Sequence, residues 1–184
     1  MIQFVYRSKH QDKKYKKPPT EDETIIATQA WHLLDQWETV PGIDNTGHFS
    51  PEKFCQWIKQ VESITTESGH LEVAFSAIGQ VLIHAPADKD GLWIHHTIAE
   101  IINQKEMSHM RDGYKTATYN SCGVHTVDPS GKPELELADK LKQRADAVEN
   151  AGYQRFARAL RKVSEFYVRE PERVIQKCRH DEDD

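Results

Sequence analysis

Residues 133–167 decide the fold: P-E-L-E-L-A-D-K-L-K-Q-R-A-D-A-V-E-N-A-G-Y-Q-R-F-A-R-A-L-R-K-V-S-E-F-Y. Apolar residues recur here at spacings of three and four, which places them on one face of a helix. Pro133 suits a first helical turn, and Gly152 suits the position just after a helix end. The residues predicted to face the core are Leu137, Leu141, Ala145, Val148, Tyr153, Phe156, Leu160, Val163 and Tyr167. The stretch therefore predicts a long antiparallel helix hairpin.

Shorter helices are predicted upstream of the hairpin. Thr20 and Glu23 form a capping box, and Ser50 followed by Pro51 is a strong helix start. The apolar stripe predicted for the first of these helices consists of Ile26, Ala30, Leu33, Leu34 and Trp37. No repeat recurs at a fixed period, which argues against a regular solenoid. The pattern as a whole predicts an all-α protein, an irregular bundle of about six helices that ends in the hairpin.

Two short stretches have the pattern of strands instead. Ile2, Phe4 and Tyr6 alternate with period two, which indicates an edge strand or the remnant of an element from a longer parent protein. A short β-hairpin is predicted near residues 116–127, because threonine, tyrosine and valine there flank a turn-like Asn-Ser-Cys-Gly sequence.

Charge and composition suggest three regions. Residues 1–19 form a basic arm or the remnant of a preceding domain, residues 20–178 the helical domain, and residues 179–184 an acidic tail. The chain carries a formal net charge of −5 and has no apolar run long enough to span a bilayer. Its three widely spaced cysteines fit reduced thiols better than a disulfide framework. We therefore expect a cytoplasmic protein.

The loop at residues 119–133 gathers the residue types of a nucleophilic site. Cys122, His125 and Asp128 follow one another at intervals of three, and a cysteine nucleophile needs such a base and an orienting carboxylate. A hydrolase-like enzyme using Cys122 and His125 is therefore one hypothesis. The alternative is that these residues form turns, because Asp128 and Gly131 occupy favoured positions of a type I turn. His125 then serves as a displayed contact residue.

A metal site is a second chemical hypothesis. His96 and Glu100 are four residues apart, so they share one face of a helix and could bind one zinc ion. The alternative assigns Asp88 and Asp90 to capping of that helix and the histidines to its surface. We favour the alternative, and predict no cofactor.

Exposed aromatic and basic residues suggest contacts with partners. Trp31 lies off the main stripe of its helix and Trp93 opens a later predicted helix beside Asp88 and Asp90, so both are candidate interaction residues. Arg155, Arg158, Arg161 and Lys162 form a basic face on the last helix that suits a nucleic-acid-binding accessory domain. The sequence pI of about 6.1 counts against that alternative.

Two segments resemble the C-terminal portion of long bacterial proteins. They are H-L-E-V-A-F-S-A-I-G-Q-V-L-I-H-A-P-A-D-K-D-G-L-W-I-H at residues 70–95 and N-S-C-G-V-H-T-V-D-P-S-G-K-P-E at residues 120–134. In that resemblance arginine stands where this chain has Cys122, which weighs against a nucleophile. The resemblance implies one module of a larger protein and assigns no activity.

The expected function is therefore a protein-interaction or scaffolding module of a larger bacterial cytoplasmic protein, without catalysis of its own. Its expected partners are other domains of the same parent protein or a second copy of the chain. A nucleic-acid partner is the less favoured expectation, and no membrane partner is expected.

Overall fold

The protein is all-α, as the sequence predicts. A computed structural model describes residues 1–6, 8–10, 18–121 and 132–181, with side chains as far as residue 169. Within these ranges the only β pairing is an isolated bridge between Ile43 and Phe49. The helices are α1 (Ile2–Val5), α2 (Glu21–Asp35), α3 (Pro51–Glu67), α4 (Leu71–Val81), α5 (His96–Asn103), α6 (Ser108–Asn120), α7 (Lys132–Asn150) and α8 (Gln154–Asp181), and a 3-10 turn (Leu82–His84) follows α4.

The predicted hairpin of α7 and α8 is confirmed. Gly152 adopts a φ of +93°, and the N–H groups of Gly152 and Tyr153 donate to the carbonyls of Glu149 and Val148. These two bonds are the pair that closes a helix in a Schellman motif, which requires the left-handed conformation that glycine adopts without strain. Ala145, Val148, Phe156 and Leu160 then reach the main core of the molecule.

Helices α4 and α6 cross in direct backbone contact. A Cβ atom on Gly79 would lie 2.0 Å from the carbonyl oxygen of Met110, and one on Gly113 would lie 1.9 Å from that of Ser76. The two backbones therefore touch directly where each helix lacks a side chain. Phe75, Ile78 and Met110 fill the core on either side of this contact.

Side-chain caps place the helix starts where the sequence predicts them. Thr20 Oγ1 accepts from Glu23 N–H while Glu23 Oε2 accepts from Thr20 N–H, so the capping box of α2 is complete. Ser50 Oγ accepts from Lys53 N–H at the start of α3. Each bond satisfies a backbone donor that the first turn of a helix leaves free.

The N-terminal residues form a helical turn, so the predicted edge strand is wrong. The alternation of Ile2, Phe4 and Tyr6 extends over too few residues to distinguish a strand from one turn of helix. Backbone and side-chain bonds then fasten the following residues to the α3–α4 turn. Lys9 N–H donates to Gly69 O over 3.0 Å, and His70 Nε2 lies 2.9 Å from Tyr6 O.

Two further predictions differ from the structure near the hairpin. Residues 116–120 belong to α6, so the first strand of the predicted β-hairpin is wrong; the second strand lies outside the described residues. A buried row of Met107, Met110 and Tyr114 outweighs the strand propensity of the threonines, because α6 packs this row into the core. The sequence also predicts a kink or interruption of the last helix at Pro171, because proline removes a backbone donor, and α8 is not interrupted there.

None of the described helices combines the length and the apolar character that crossing a membrane requires.

Candidate functional site

An open apolar cleft lies between α1, α2 and α3. Its volume is about 750 Å³. Apolar side chains from all three helices line it: Met1, Ile2, Leu33, Leu34, Trp37, Trp57, Val61 and Ile64. We call this surface the α2 cleft. Clefts of this size with mainly apolar and aromatic linings are the usual form of binding sites in proteins.

The α2 cleft is open because little covers the apolar stripe of α2. The apolar stripe that the sequence predicts contains Ile26, Ala30 and Leu33, and Ala30 is the only fully buried residue of the helix. Leu33 is 58% exposed and Ile26 is 45% exposed. Across the cleft, Ile64 of α3 is 64% exposed. The apolar stripe of α2 is therefore largely uncovered.

The segment that carries α2 is also strongly acidic. Residues 18–52 contain no lysine or arginine. Their carboxylates are Glu21, Asp22, Glu23, Asp35, Glu38, Asp44 and Glu52. Glu38 lines the α2 cleft itself. An apolar groove with an acidic surround favours a ligand that has an apolar face and positive charges beside it.

The structure separates the four tryptophans into two groups. Trp37 and Trp57 pack edge to face with ring centroids 5.8 Å apart, half buried, and form one wall of the α2 cleft. Trp31 is 46% exposed on α2, and its role as a contact residue stays a prediction. Trp93 is engaged inside the molecule instead. Its Nε1–H donates to Arg144 O over 3.1 Å, and the Arg144 guanidinium lies 4.8 Å from its ring centroid.

A basic groove lies between α6 and α8. Arg155, Arg158 and Lys162 of α8 line it together with Arg111 and Lys115 of α6, and its volume is about 260 Å³. The α8 residues follow one another at intervals of three and four, so they share one exposed face. The two α6 cations were missed by sequence reasoning, because spacing within one helix does not show which helix lies opposite.

Arg161 does not belong to this groove. Its guanidinium binds Asp146 Oδ1 over 2.7 Å and both carboxylate oxygens of Glu149, which lie on α7. These hydrogen bonds raise the pKa of Arg161 and lower the pKa of Glu149. Arg161 therefore fastens α8 to α7. The basic face predicted from the sequence thus divides into Arg155, Arg158 and Lys162, which line the groove, and Arg161, which binds carboxylates of α7.

His96 lies in a small polar cluster with Asp88, Asp90 and Tyr153. Its Nδ1 is 2.8 Å from Tyr153 Oη and its Nε2 is 2.7 Å from Asp90 Oδ2. One ligand atom each from Asp88, Asp90 and His96 lies within 4.8 Å of the others. The structure thus surrounds His96 with different carboxylates from the Glu100 of the metal hypothesis, and that hypothesis stays a prediction.

Hydrogen bonds within the protein explain this cluster better than a cation does. Asp88 Oδ2 accepts from His96 N–H over 2.9 Å, which lowers the pKa of Asp88 by stabilising its charged form. Asp90 Oδ1 accepts from Leu92 N–H, while the hydrogen bond from His96 is the main cause of the lowered pKa of Asp90. A metal ion would have to replace the bond between His96 and Asp90.

The residues of the hydrolase hypothesis cannot be placed. Cys122, His125 and Asp128 lie outside the described residues, and so does the turn that ends at Gly131. The structure describes the two flanks of this loop, which are Asn120 at the end of α6 and Lys132 at the start of α7. Among the described cysteines, Cys55 is a half-buried free thiol.

The fold and these surfaces define an irregular all-α bundle with an apolar cleft and a basic groove. No protein-family model matches the chain, and searches of curated proteins and of solved structures find no significant match.

Proposed function

We propose that this chain is a protein-interaction module of a larger bacterial cytoplasmic protein. In this proposal the α2 cleft receives an amphipathic helix with basic flanks, carried by another domain of the parent protein. The observation that carries the proposal is the exposure of Ile26 and Leu33 along one face of α2. Helices that enter apolar grooves present residues at i, i+3, i+4 and i+7, which suits an elongated surface of this kind.

Burial of the exposed apolar side chains of the α2 cleft would contribute favourable free energy to binding. An exposed leucine or isoleucine contributes roughly 1.5–3 kcal/mol when it becomes fully buried. Leu33 and Ile64 are both more than half exposed and line the same cleft, so an apolar helix face that fills the cleft would cover both. Trp37 and Trp57 add a half-buried aromatic wall, and aromatic residues are enriched in protein interfaces.

Charge distinguishes this partner from a second copy of the chain. Two copies that met through α2 would bring the acidic segment 18–52 against itself, and like charges across an interface oppose association. A helix with lysine or arginine beside its apolar face would instead gain from the same carboxylates. We therefore favour a different domain as the partner.

Intrinsic fluorescence offers a direct test, because Trp31, Trp37 and Trp57 all lie on α2 or in the cleft. The probe is a synthetic amphipathic helix with leucines at i, i+3, i+4 and i+7 and lysines on its flanks. We expect a saturable change in tryptophan emission, and at least tenfold weaker binding by the L33S/I64S variant. Leu135→Ser, at a leucine of α7 that is 45% exposed and lies outside the cleft, is the control and should bind like the wild type.

A second peptide distinguishes the proposed binding from nonspecific hydrophobic association. It keeps the leucines and replaces each lysine with glutamate, and we expect it to bind at least tenfold more weakly at low salt. Equal binding of the two peptides would contradict the charge argument. Light scattering that showed a dimer lost on L33S/I64S would assign the cleft to a second copy and overturn the proposed partner.

A further inference from the structure

We propose that the basic groove between α6 and α8 is a binding site for a small anion that carries one or two phosphoryl groups. Five cationic side chains line the groove and Asp112 is its single acidic residue, in a chain whose formal net charge is −5. The concentration of positive charge is therefore local and does not follow from composition.

Carboxylates among the described residues neutralise little of the positive charge of the groove. Among the described residues, Arg155, Arg158 and Lys162 form no ion pair within 4.0 Å, whereas Lys115 Nζ lies 2.7 Å from Asp112 Oδ1. The Arg111 guanidinium is half buried, and its proximity to Arg155 adds to the effect of burial in lowering its pKa. Like charges held close together oppose folding, and an anion between them removes that repulsion.

The groove is held in shape before any ligand arrives. Asn103 Oδ1 accepts from the N–H groups of Arg155 and Phe156 over 2.7 and 3.3 Å, which fixes the first turn of α8. Arg111 donates to the carbonyls of Ile102 and Lys105 over 2.6 and 3.3 Å at the end of α5. Both walls are therefore anchored to α5, so binding would not require either helix to move.

The N-terminus of α6 adds to the positive electrostatic potential of the groove. Ser108 begins α6 and lines the groove, and Met107 before it supplies no side-chain acceptor for the first amides of the helix. The partial positive charge of a helix N-terminus therefore lies beside the five cations. Arginine side chains match the geometry of phosphate oxygens through paired hydrogen bonds, which favours phosphate over a simple carboxylate.

The size of the groove favours a small ligand over nucleic acid. From Arg155 to Lys162 the helix rises about 10 Å, which spans about three phosphates of one DNA strand. Proteins that bind duplex DNA commonly neutralise six to ten phosphates, and their domains are basic overall. This chain has a sequence pI of about 6.1. The charge is thus enough for one phosphorylated group and insufficient for a long backbone.

Calorimetric titration of the full chain with pyrophosphate at low salt tests the proposal. We expect one saturable site that binds pyrophosphate more tightly than inorganic phosphate. R158Q/K162Q should weaken pyrophosphate binding at least tenfold. K53Q/K59Q removes the same charge from exposed positions on α3 and should leave the affinity within twofold of the wild type.

A variant that is expected to strengthen pyrophosphate binding shows whether lost binding in the other variants is due to misfolding. Asp112→Asn removes the one carboxylate of the groove, so it should tighten pyrophosphate binding two- to fivefold, which a damaged fold would not do. Absence of saturable binding would overturn the proposal, and so would equal losses in R158Q/K162Q and K53Q/K59Q. Preferred binding of a 20-base-pair DNA duplex, with a steep salt dependence, would assign the groove to nucleic acid instead.

Discussion

At the scale of single residues, Gly79 and Gly113 determine how closely α4 and α6 approach each other. Each lies where the backbone of the opposite helix passes, so the missing side chain is what allows α4 and α6 to meet. Glycine costs about 1 kcal/mol relative to alanine inside a helix. The contact between the helices must offset that cost twice, once on each side of the crossing.

Substitution of either glycine tests this balance. Gly79→Ala and Gly113→Ala should each lower the free energy of unfolding by about 1–3 kcal/mol, although alanine is the better helix former, because the added Cβ would overlap a carbonyl oxygen. Chemical denaturation followed by circular dichroism measures the loss. Gly47→Ala adds the same methyl group where nothing lies within 4 Å of the new Cβ, so any loss there comes from the backbone conformation alone.

Gly47 has a φ of +81°, so its replacement carries a backbone cost of about 1–2 kcal/mol without a steric one. Stability that rose in Gly79→Ala and Gly113→Ala, as helix propensity alone would require, would contradict the close crossing.

At the scale of secondary-structure elements, side-chain caps mark where α2, α3 and α5 begin. The caps of α2 and α3 are readable in the sequence because each lies within four residues of the helix it starts. The start of α5 depends partly on Asp88, which reaches His96 N–H from eight residues upstream. His95 Nε2 is 3.7 Å from the same carboxylate, close enough for an ion pair when the imidazole is protonated.

The acid sensitivity of α5 follows from this contact. The hydrogen bond from His96 N–H lowers the pKa of Asp88 in the folded state below its ordinary value of 3.8. A carboxyl group of this kind stabilises the fold above its unfolded pKa, and the stabilisation is lost as pH falls through the lower, folded value. Asp88→Ala should therefore cost about 1 kcal/mol at pH 6 and progressively less below pH 4.

Thermal unfolding of Asp88→Ala across this pH range measures the effect, with Asp139→Ala as a control at an exposed carboxylate of α7. A difference from the wild type that stayed constant down to pH 2 would show that the Asp88 contact does not depend on ionisation.

The helices themselves were more predictable than their surroundings. The stripes of α7 and α8 repeat over enough turns to fix both type and inward face, whereas α1 is one turn long and was mistaken for a strand. Periodicity shows which side of α2 is apolar, and it does not show whether another element covers that side. The spacing of Arg158 and Arg161 likewise does not show which helix lies beside each of them. Arg161 binds carboxylates of α7, whereas Arg158 lines the groove against α6.

At the scale of the whole molecule, α1 and α2 form a layer that is less firmly attached than the rest. Ala30 is the sole fully buried residue of α2, and α1 has none. The bond between His70 and Tyr6 O and the contact between Lys9 and Glu72 fasten the N-terminal residues to the α3–α4 turn. His70 is buried, so its ring holds a backbone carbonyl that water would otherwise bind.

Removal of the hydrogen bond between His70 and Tyr6 should destabilise the layer of α1 and α2 and leave α4 and α6 unaffected. We expect His70→Ala to increase amide hydrogen exchange in α1 and α2 at least tenfold, because a lost buried hydrogen bond costs about 1–3 kcal/mol. Amides of α4 and α6 should keep their protection. His109→Ala is the control, since His109 is half exposed and also lies beside Glu72.

Equal acceleration in all four helices would contradict this division and show one cooperative unit. A sequence could not have indicated the division, because the apolar residues of α2 look as suited to burial as those of α8. The difference lies in how many elements reach them, which is a property of the assembled molecule.

The two ends of α5 have a consequence for the order in which the chain folds. Helix α5 has 8 residues, and isolated helices of that length are marginal in water. Asp88 assists its first turn, Arg111 of α6 binds its last carbonyls, and Asn103 at its end caps α8. Because these bonds need neighbours that are already in place, we expect α5 to form after the helices around it. We then expect the hairpin and the α4–α6 pair to form first, with α5 connecting them last.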